Sequence, residues 1–311
     1  MTMEKNSRIY VAGHRGMVGS AIVRNLQGAG YKGIIVRSHA ELPLDNQSAV
    51  DEFFAAEKPE YVFLAAAKVG GIVANTTYGA DFIRENLRIQ TNTIDAAYRN
   101  GAAKLLFLGS SCIYPKLAEQ PIKEEALLSG PMEPTNLPYA VAKIAGKVMC
   151  DAYRAQFGFD AFTVMPSNVY GIGDNFHPEN SHVVAGMMQR FEEAKKAGAK
   201  EVIVWGTGKP MRELIYSDDL ADACVHLMNT YDDGGLINVG SSEEISIEGL
   251  AHLVAGVVGF NGQITFDTSR PDGTPRKIMD NSTLRKSGWR PNTSIEEGLR
   301  RMYSWWKHTR N

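Results

Sequence analysis

The sequence is poor in the features that would brace a chain covalently, seat it in a membrane or draw it to a polyanion. It has three cysteines in 311 residues, Cys112, Cys150 and Cys224, with no CxxC pair. That spacing argues against a disulfide framework or a cysteine zinc site, and fits a reducing cytoplasm. No apolar run reaches the length of a membrane span. The opening stretch "MTMEKNSRIYVAG" has no long apolar core, so no signal peptide is expected. Neither sign of charge dominates. With 33 basic and 35 acidic residues the formal net charge is −2, so no basic footprint suggests nucleic acid. No internal repeat or low-complexity stretch stands out, and no residue cluster suggests a metal.

What is present is an ordinary globular composition, 44% hydrophobic and 22% charged. Through the first half, short apolar runs alternate with longer amphipathic ones. "RIYVAG", "GIIVR", "YVFLAAA", "KLLFLGS" and "AFTVMPSNVYG" read as strands. Between them, Met17 to about Gln27, "SAVDEFFAAEK", "ADFIRENLRIQTNTIDAAYRNG" and "PYAVAKIAGKVMCDAYRAQFG" read as helices. Strands that are apolar on both faces, each followed by a helix, predict a Rossmann-type doubly wound parallel sheet, with ligands at its carboxyl edge. The rhythm changes after Gly171. The expected division is a cofactor-binding domain of residues 1–170 plus about 212–245, and a smaller, non-contiguous α/β substrate lobe of about 171–211 plus 246–311.

The first βα junction, "VAGHRGMVGSAI", holds Gly13, Gly16 and Gly19. Alone, such a triplet is only a tight turn. Between a strand and a helix it lets a pyrophosphate approach the backbone and the helix N-terminus. His14, inside the loop, is read as a turn residue. The second strand ends "IIVRSHAE", with Arg37 and His39 where an NAD enzyme usually carries an acid; Arg15 adds a further cation. These groups suit the 2′-phosphate of NADP.

Tyr139 and Lys143 stand four apart at the start of a helix, on one face. A nearby ammonium is expected to favour tyrosinate, lowering the phenol's pKa. Ser110, at the end of an earlier strand, would fix a substrate carbonyl beside the tyrosine. A YxxxK pair by itself is common by chance. With the glycine loop and the serine, in this order, it is specific.

These motifs make the chain resemble the extended short-chain dehydrogenase/reductases over nearly its whole length. More narrowly, "AGHRGMVGSAI", "LAAAKVGGIVAN", "FLGSSCIYPK", "EPTNLPYAVAKIAG", "DNFHPENSHV", "VWGTGKPMRE" and "PDGTPRK" are similar to the GDP-L-fucose synthase family. The resemblance implies NADP-dependent 3,5-epimerisation and 4-reduction of GDP-4-keto-6-deoxy-D-mannose. It implies cofactor contacts from Gly13, His14, Arg15, Gly16, Met17, Val18 and Gly19, and from Arg37 and His39. Family members tend to carry arginine where His39 stands, so a weaker grip is expected there. Further contacts are implied from Leu108, Gly109, Ser110 and Ser111, from Tyr139 and Lys143, from Pro166, Ser167, Asn168 and Val169, and from His182.

The resemblance also gives a use for Cys112. Epimerisation needs a carbon base, and a thiolate can serve if cations lower its pKa. His182 is implied as the partner acid. A lone cysteine is more often an inert core residue, and Cys150 and Cys224 are read that way. GDP-sugar contacts are implied at Asn168, Val183, Arg190, Arg212, Asp272 and Lys277, with Trp205 against guanine. Alternatives stay open. They are the same chemistry on a GDP-4-keto precursor of colitose or of a 6-deoxy-heptose, and a non-catalytic NADP-sensing module. A homodimer is expected through the helices Ala80–Asn100 and Tyr139–Phe157, with Ala140, Ala142, Ala145 and Gly146 permitting close approach.

Overall fold

The computed structural model describes residues 2–177, 181–270, 272 and 274–309. Residues 178–180 of the histidine loop, and 271 and 273 of "PDGTPRK", lie outside the described residues. In chain order the first elements are β1 (Ile9–Ala12), α1 (Met17–Gly28), β2 (Ile34–Ile35), α2 (Gln47–Glu57), β3 (Tyr61–Leu64), α3 (Ile72–Thr77), α4 (Gly79–Arg99), β4 (Lys104–Leu108), α5 (Leu137–Phe157) and β5 (Asp160–Pro166). There follow β6 (Asn168–Tyr170), α6 (Val183–Lys196), β7 (Glu201–Trp205), β8 (Met211–Tyr216), α7 (Ser217–Thr230) and β9 (Gly235–Val239). The last are β10 (Glu244–Ser246), α8 (Ile247–Val258), β11 (Gln263–Asp267), β12 (Arg276–Lys277), α9 (Ser282–Lys286) and α10 (Ile295–Thr309).

Six strands form one parallel sheet in the order β2-β1-β3-β4-β5-β9. Every residue of β1, β3 and β4 is buried, as a sheet covered on both faces requires. One face packs on α1 and α7 through Ile22, Leu26, Leu220 and Leu227. The other packs on α2, α4 and α5 through Phe54, Ile94, Ala97 and Cys150. Cys224 is equally buried. Lys104 lies inside β4, fully buried. Its ammonium donates to the Tyr231 carbonyl at 2.5 Å and pairs with Asp232 at 3.0 Å, the pairing a buried charge needs. Strand order reverses between β1 and β3, and the crevice at their carboxyl ends is where such sheets hold ligands.

A second sheet is centred on β8. Its first half pairs with β10 and β12, its second half with β6. β7 and β11 pair separately in parallel. Helices α6, α8 and α10 cover these strands around Phe191, Leu250, Leu299 and Trp306. Glu213, in mid-β8 and fully buried, accepts hydrogen bonds from the N–H of Ser242 (2.7 Å), the N–H of Met279 (2.8 Å) and the Asn281 amide (2.7 Å). Among the described residues no helix is long and apolar enough to cross a membrane.

Candidate active site

The glycine loop leaves β1 with Gly13 at φ +82°. A Cβ there would lie 2.8 Å from the backbone of Ala66, and one on Gly19 would lie 2.1 Å from the Gly13 carbonyl oxygen. Both positions are closed to any other residue. Gly16 caps α1 without a side-chain bond, so the first N–H groups of Met17, Val18 and Gly19 stay unclaimed by a cap. With that helix end and a backbone bared by glycine, the loop fits a dinucleotide's pyrophosphate. His14 lies in the same turn with its Nδ1 buried and without a partner among the described residues.

The cations expected around a 2′-phosphate are not equivalent. Arg15 and His39 are exposed, and Arg15 forms no ion pair among the described residues. Arg37 is engaged. It pairs with Glu57, donates to the Val36 carbonyl at 2.8 Å and lies 5.5 Å over the Phe53 ring. An acid also stands nearby. Glu41 accepts from the Ser38 N–H (2.7 Å) and hydroxyl (2.6 Å). Those bonds, with help from Arg37 and Arg15, hold its carboxyl below the usual range. The sequence reading missed this residue.

β4 ends at Leu108. Gly109 lies so close to β5 that a Cβ would meet Met165 at 2.3 Å, and the Ser110 N–H donates to Met165 Sδ at 3.0 Å. A short turn, Ser111–Ile113, follows, and the Cys112 N–H donates back to Ser110 Oγ at 3.4 Å. The turn carries Cys112 toward α5. Burial raises its thiol above the usual range, and the Lys277 ammonium, the Ser110 hydroxyl and Lys143 oppose that rise without overcoming it, so the lowering expected of the cations is not what the structure favours. Lys277 lines the same small cavity as Ser111 and Cys112, with Tyr114, Asn136 and Thr274. The resemblance implied Lys277 for the nucleotide; its location beside the thiol was not anticipated.

Tyr139 and Lys143 lie on one face of α5, as the spacing required. The expected tyrosinate is not what the structure favours. Burial raises the Tyr139 phenol strongly, Cys112 adds to the rise, and only the Ser110 hydroxyl opposes it. The buried Lys143 ammonium donates instead to the Leu108 carbonyl at 2.7 Å, and burial pulls its pKa down to about 8. Tyr139 is therefore a protonated phenol, suited to donating a proton.

The residues after β5 sit at the same sheet edge. Pro166 ends the strand, and the Ser167 hydroxyl is buried and without a partner among the described residues. Asn168, beside Val169 in β6, donates to the Glu213 carbonyl at 3.1 Å. His182 caps α6 just ahead of Val183, and its Nδ1 meets Asp174 Oδ1 at 3.2 Å. Among the described residues no hydrogen bond joins it to Cys112 or Tyr139. Trp205 is 61% exposed at the end of β7, with the guanidinium groups of Arg190 and Arg270 over its ring at 5.8 and 5.0 Å. Arg212 donates to the carbonyls of Met211 (2.8 Å) and Thr274 (2.7 Å). Asp272 accepts from the Thr207 N–H and hydroxyl at 2.8 and 2.7 Å.

Residues 9–240 match the model of the NAD dependent epimerase/dehydratase family. The Putative GDP-L-fucose synthase 2 of Arabidopsis thaliana is 60% identical over 98% of this chain and 93% of its own length. The GDP-L-fucose synthase of Escherichia coli (strain K12) is 52% identical over 96% of both. The chain belongs to the GDP-L-fucose synthase family. A solved GDP-L-fucose synthetase of Naegleria fowleri with NADP bound is 28% identical, with a TM-score of 0.91 over 100% of this chain and 97% of that one. In this family setting Cys112, Tyr139, Lys143 and Ser110 form one group, and Lys277 joins it from a distant part of the chain.

Proposed function

We propose that the chain converts GDP-4-keto-6-deoxy-D-mannose to GDP-L-fucose by epimerising C3 and C5 and reducing C4 with NADPH. The observation that carries this reading is the placement of a cysteine on the serine turn, against the Ser110–Tyr139 pair and facing an ammonium. A simple ketone reductase has no use for a carbon base there. The GDP-L-fucose synthases are 52–60% identical at their nearer end, against 33% for a GDP-L-colitose synthase of Yersinia pseudotuberculosis, which favours this sugar over its dideoxy analogue.

The glycine loop and the start of α1 would hold the pyrophosphate, with Arg15 at the 2′-phosphate. Lys143 and the residues following β4 and β5 would line the nicotinamide end. When bound, NADPH supplies the hydride that reduces C4. Ser110 and Tyr139 hydrogen-bond the C4 oxygen, which acidifies the hydrogens at C3 and C5 and steadies the enolate once either is lost. Cys112, ionised with the help of the Lys277 ammonium against the cost of its burial, takes the carbon-bound proton, and His182 returns one to the opposite face. Tyr139 then protonates the C4 oxygen during reduction. Arg190, Trp205, Arg212 and Asp272 are read as the nucleotide end, in a lobe distinct from the large sheet. The three free cysteines fit a cytoplasmic enzyme, and the outer face of α5 fits a homodimer.

The test separates the half-reactions. Cys112→Ser is expected to lose deuterium wash-in at C3 and C5 by about 10²–10⁴-fold, while NADPH oxidation persists with formation of an unepimerised 6-deoxy sugar. Exchange at the wild-type rate would reduce the cysteine to a packing residue and sink the reading.

A further inference from the structure

We propose that Asp174 is the positioning residue for His182: its carboxylate holds the ring at Nδ1 and turns Nε2 toward the sugar. The inference deepens the reading of His182 as proton donor and rests on it. A carboxylate oxygen can only accept, so the 3.2 Å contact with Asp174 Oδ1 places a proton on Nδ1. The two side chains differ sharply in exposure, 2% for Asp174 and 45% for His182. The ring thus leans outward from a buried anchor, which leaves Nε2 as the atom that can meet a ligand.

The anchor is itself fixed. Asp174 Oδ1 also accepts the Asn175 N–H at 2.8 Å, and the Asp174 N–H donates to the Gly171 carbonyl at 3.2 Å. Gly173, at φ +87°, packs on the first turn of α1, where a Cβ would lie 3.4 Å from Met17 Cα. The turn that aims His182 therefore rests on the helix that opens the glycine loop. Asp174 Oδ2 is buried with no partner among the described residues, an arrangement that is costly unless the carboxylate has a cationic neighbour to hold.

The electrostatics agree with the geometry. The Asp174 bond outweighs burial and raises the His182 pKa. Other titratable groups among the described residues are His177 in the same loop, Arg190 on α6, and Cys112, Tyr139, Lys143 and Lys277 in the site; Asp174 and burial are what shift the ring. The Asp174 contact thus favours the doubly protonated ring. Nε2–H gives its proton to the carbanion carbon as the new C–H bond forms. The neutral ring, still held by Asp174, regains a proton from water, and Cys112 loses to water the one it took. One C–H bond breaks and one forms, with no net change in charge or protons.

The experiment compares Asp174→Asn, His182→Gln and the double variant. His182 is followed first by NMR titration of the protein without cofactor, its signal assigned by its loss in His182→Gln. In Asp174→Asn the His182 titration is expected to move to lower pH. Deuterium wash-in at neutral pH should fall about tenfold or more, as when a histidine loses its orienting carboxylate, and its high-pH limb should move to lower pH with it. The double variant should exchange no more slowly than His182→Gln alone. An unmoved titration in folded Asp174→Asn overturns the proposal. Losses that multiply in the double variant do so as well, since they mean Asp174 acts independently of the ring. If the titration moves but His182→Gln exchanges at the wild-type rate, the pairing stands and the reading of His182 as proton donor fails. Should Asp174→Asn not fold, Asp174→Glu is used. It should keep a raised His182 titration, and a titration at the ordinary histidine value would count against the pairing.

Discussion

The large sheet and the sheet centred on β8 are built from different kinds of contact. In the first, β3, β4 and β5 lie side by side in chain order, joined through α4 and α5, each twenty-one residues long. In the second, β6, β10 and β12 are two or three residues long and reach β8 from stretches far apart in the chain. Strands so short cannot hold register through their own ladders. A buried side chain takes over that task. Glu213 gathers the segments after β9 and β12 and the start of α9 onto one carboxylate. The lesson is positional: the cofactor loops rest on local order, whereas Arg212 and Lys277 rest on a polar staple.

Breaking the staple should give the largest effect. Glu213→Ala strands the buried Met279 N–H and takes one acceptor each from Ser242 and from the Asn281 amide, which keeps Ser242 Oγ and the Met279 carbonyl. With a stranded buried donor costing about 1–3 kcal/mol, a loss of about 2 kcal/mol is expected in urea unfolding, with the sugar-side residues released first. A wild-type midpoint would refute the role. Glu213→Gln sharpens the point through pH. Burial raises the Glu213 carboxyl in the folded state. The fold therefore favours the protonated form. This group's contribution to stability is greatest below the ordinary carboxylate pKa and declines as pH rises through the window up to the raised value. Glu213→Gln should flatten that part of the stability profile.

Within the cofactor half a smaller contrast divides two arginines. Arg15 is exposed and free of ion pairs among the described residues, whereas Arg37 is committed to Glu57 and Phe53. Arg15→Ala should weaken NADPH binding about tenfold, the worth of one charge-assisted hydrogen bond, and leave NADH binding nearly unchanged. Arg37→Ala should lower thermal stability as well. Fluorescence titration with both cofactors, alongside melting curves, checks the pair. Equal losses for NADPH and NADH in Arg15→Ala would remove it from the 2′-phosphate site.

The same contrast governs what could be read in advance. The glycine loop, the serine turn and the Tyr139–Lys143 pair are local patterns, and helices α1, α2, α4 and α5 were legible within a residue or two because their apolar period is long and regular. The register of β6, β10 and β12 was not, since two or three residues carry no period. Asp174 stands eight positions before His182 in a stretch that reads only as a polar loop, and no spacing rule marks it. Glu41 lies in the quoted "IIVRSHAE", but only the turn at Ser38 folds its carboxyl back onto the Ser38 N–H and hydroxyl, and that is a three-dimensional fact. The tyrosinate expectation failed for a similar reason. Spacing put Lys143 on the right face, but burial of the phenol and the Leu108 carbonyl's claim on the ammonium are tertiary facts.

Assembly should show the smallest effect on either half alone. The small residues expected at a dimer seam are used inside the protomer. Ala140, Ala142 and Gly146 are buried, and a Cβ on Gly146 would lie 2.5 Å from the Phe107 ring. The face of α5 that remains open carries Leu137, Val141 and Val148, 40%, 38% and 48% exposed. They recur at helical spacing along one stripe, with Ala145 and Ala152 between and beyond them. A stripe of this kind, unpaired in one copy, suits the matching helix of a second. Val148→Asp introduces a charge at its centre. As a surface change it should alter protomer stability by no more than about 0.5 kcal/mol, yet it should convert a dimer to a monomer in sedimentation velocity at micromolar concentration. A wild-type protein that sediments only as a monomer over that range would leave the stripe unpartnered and overturn the homodimer.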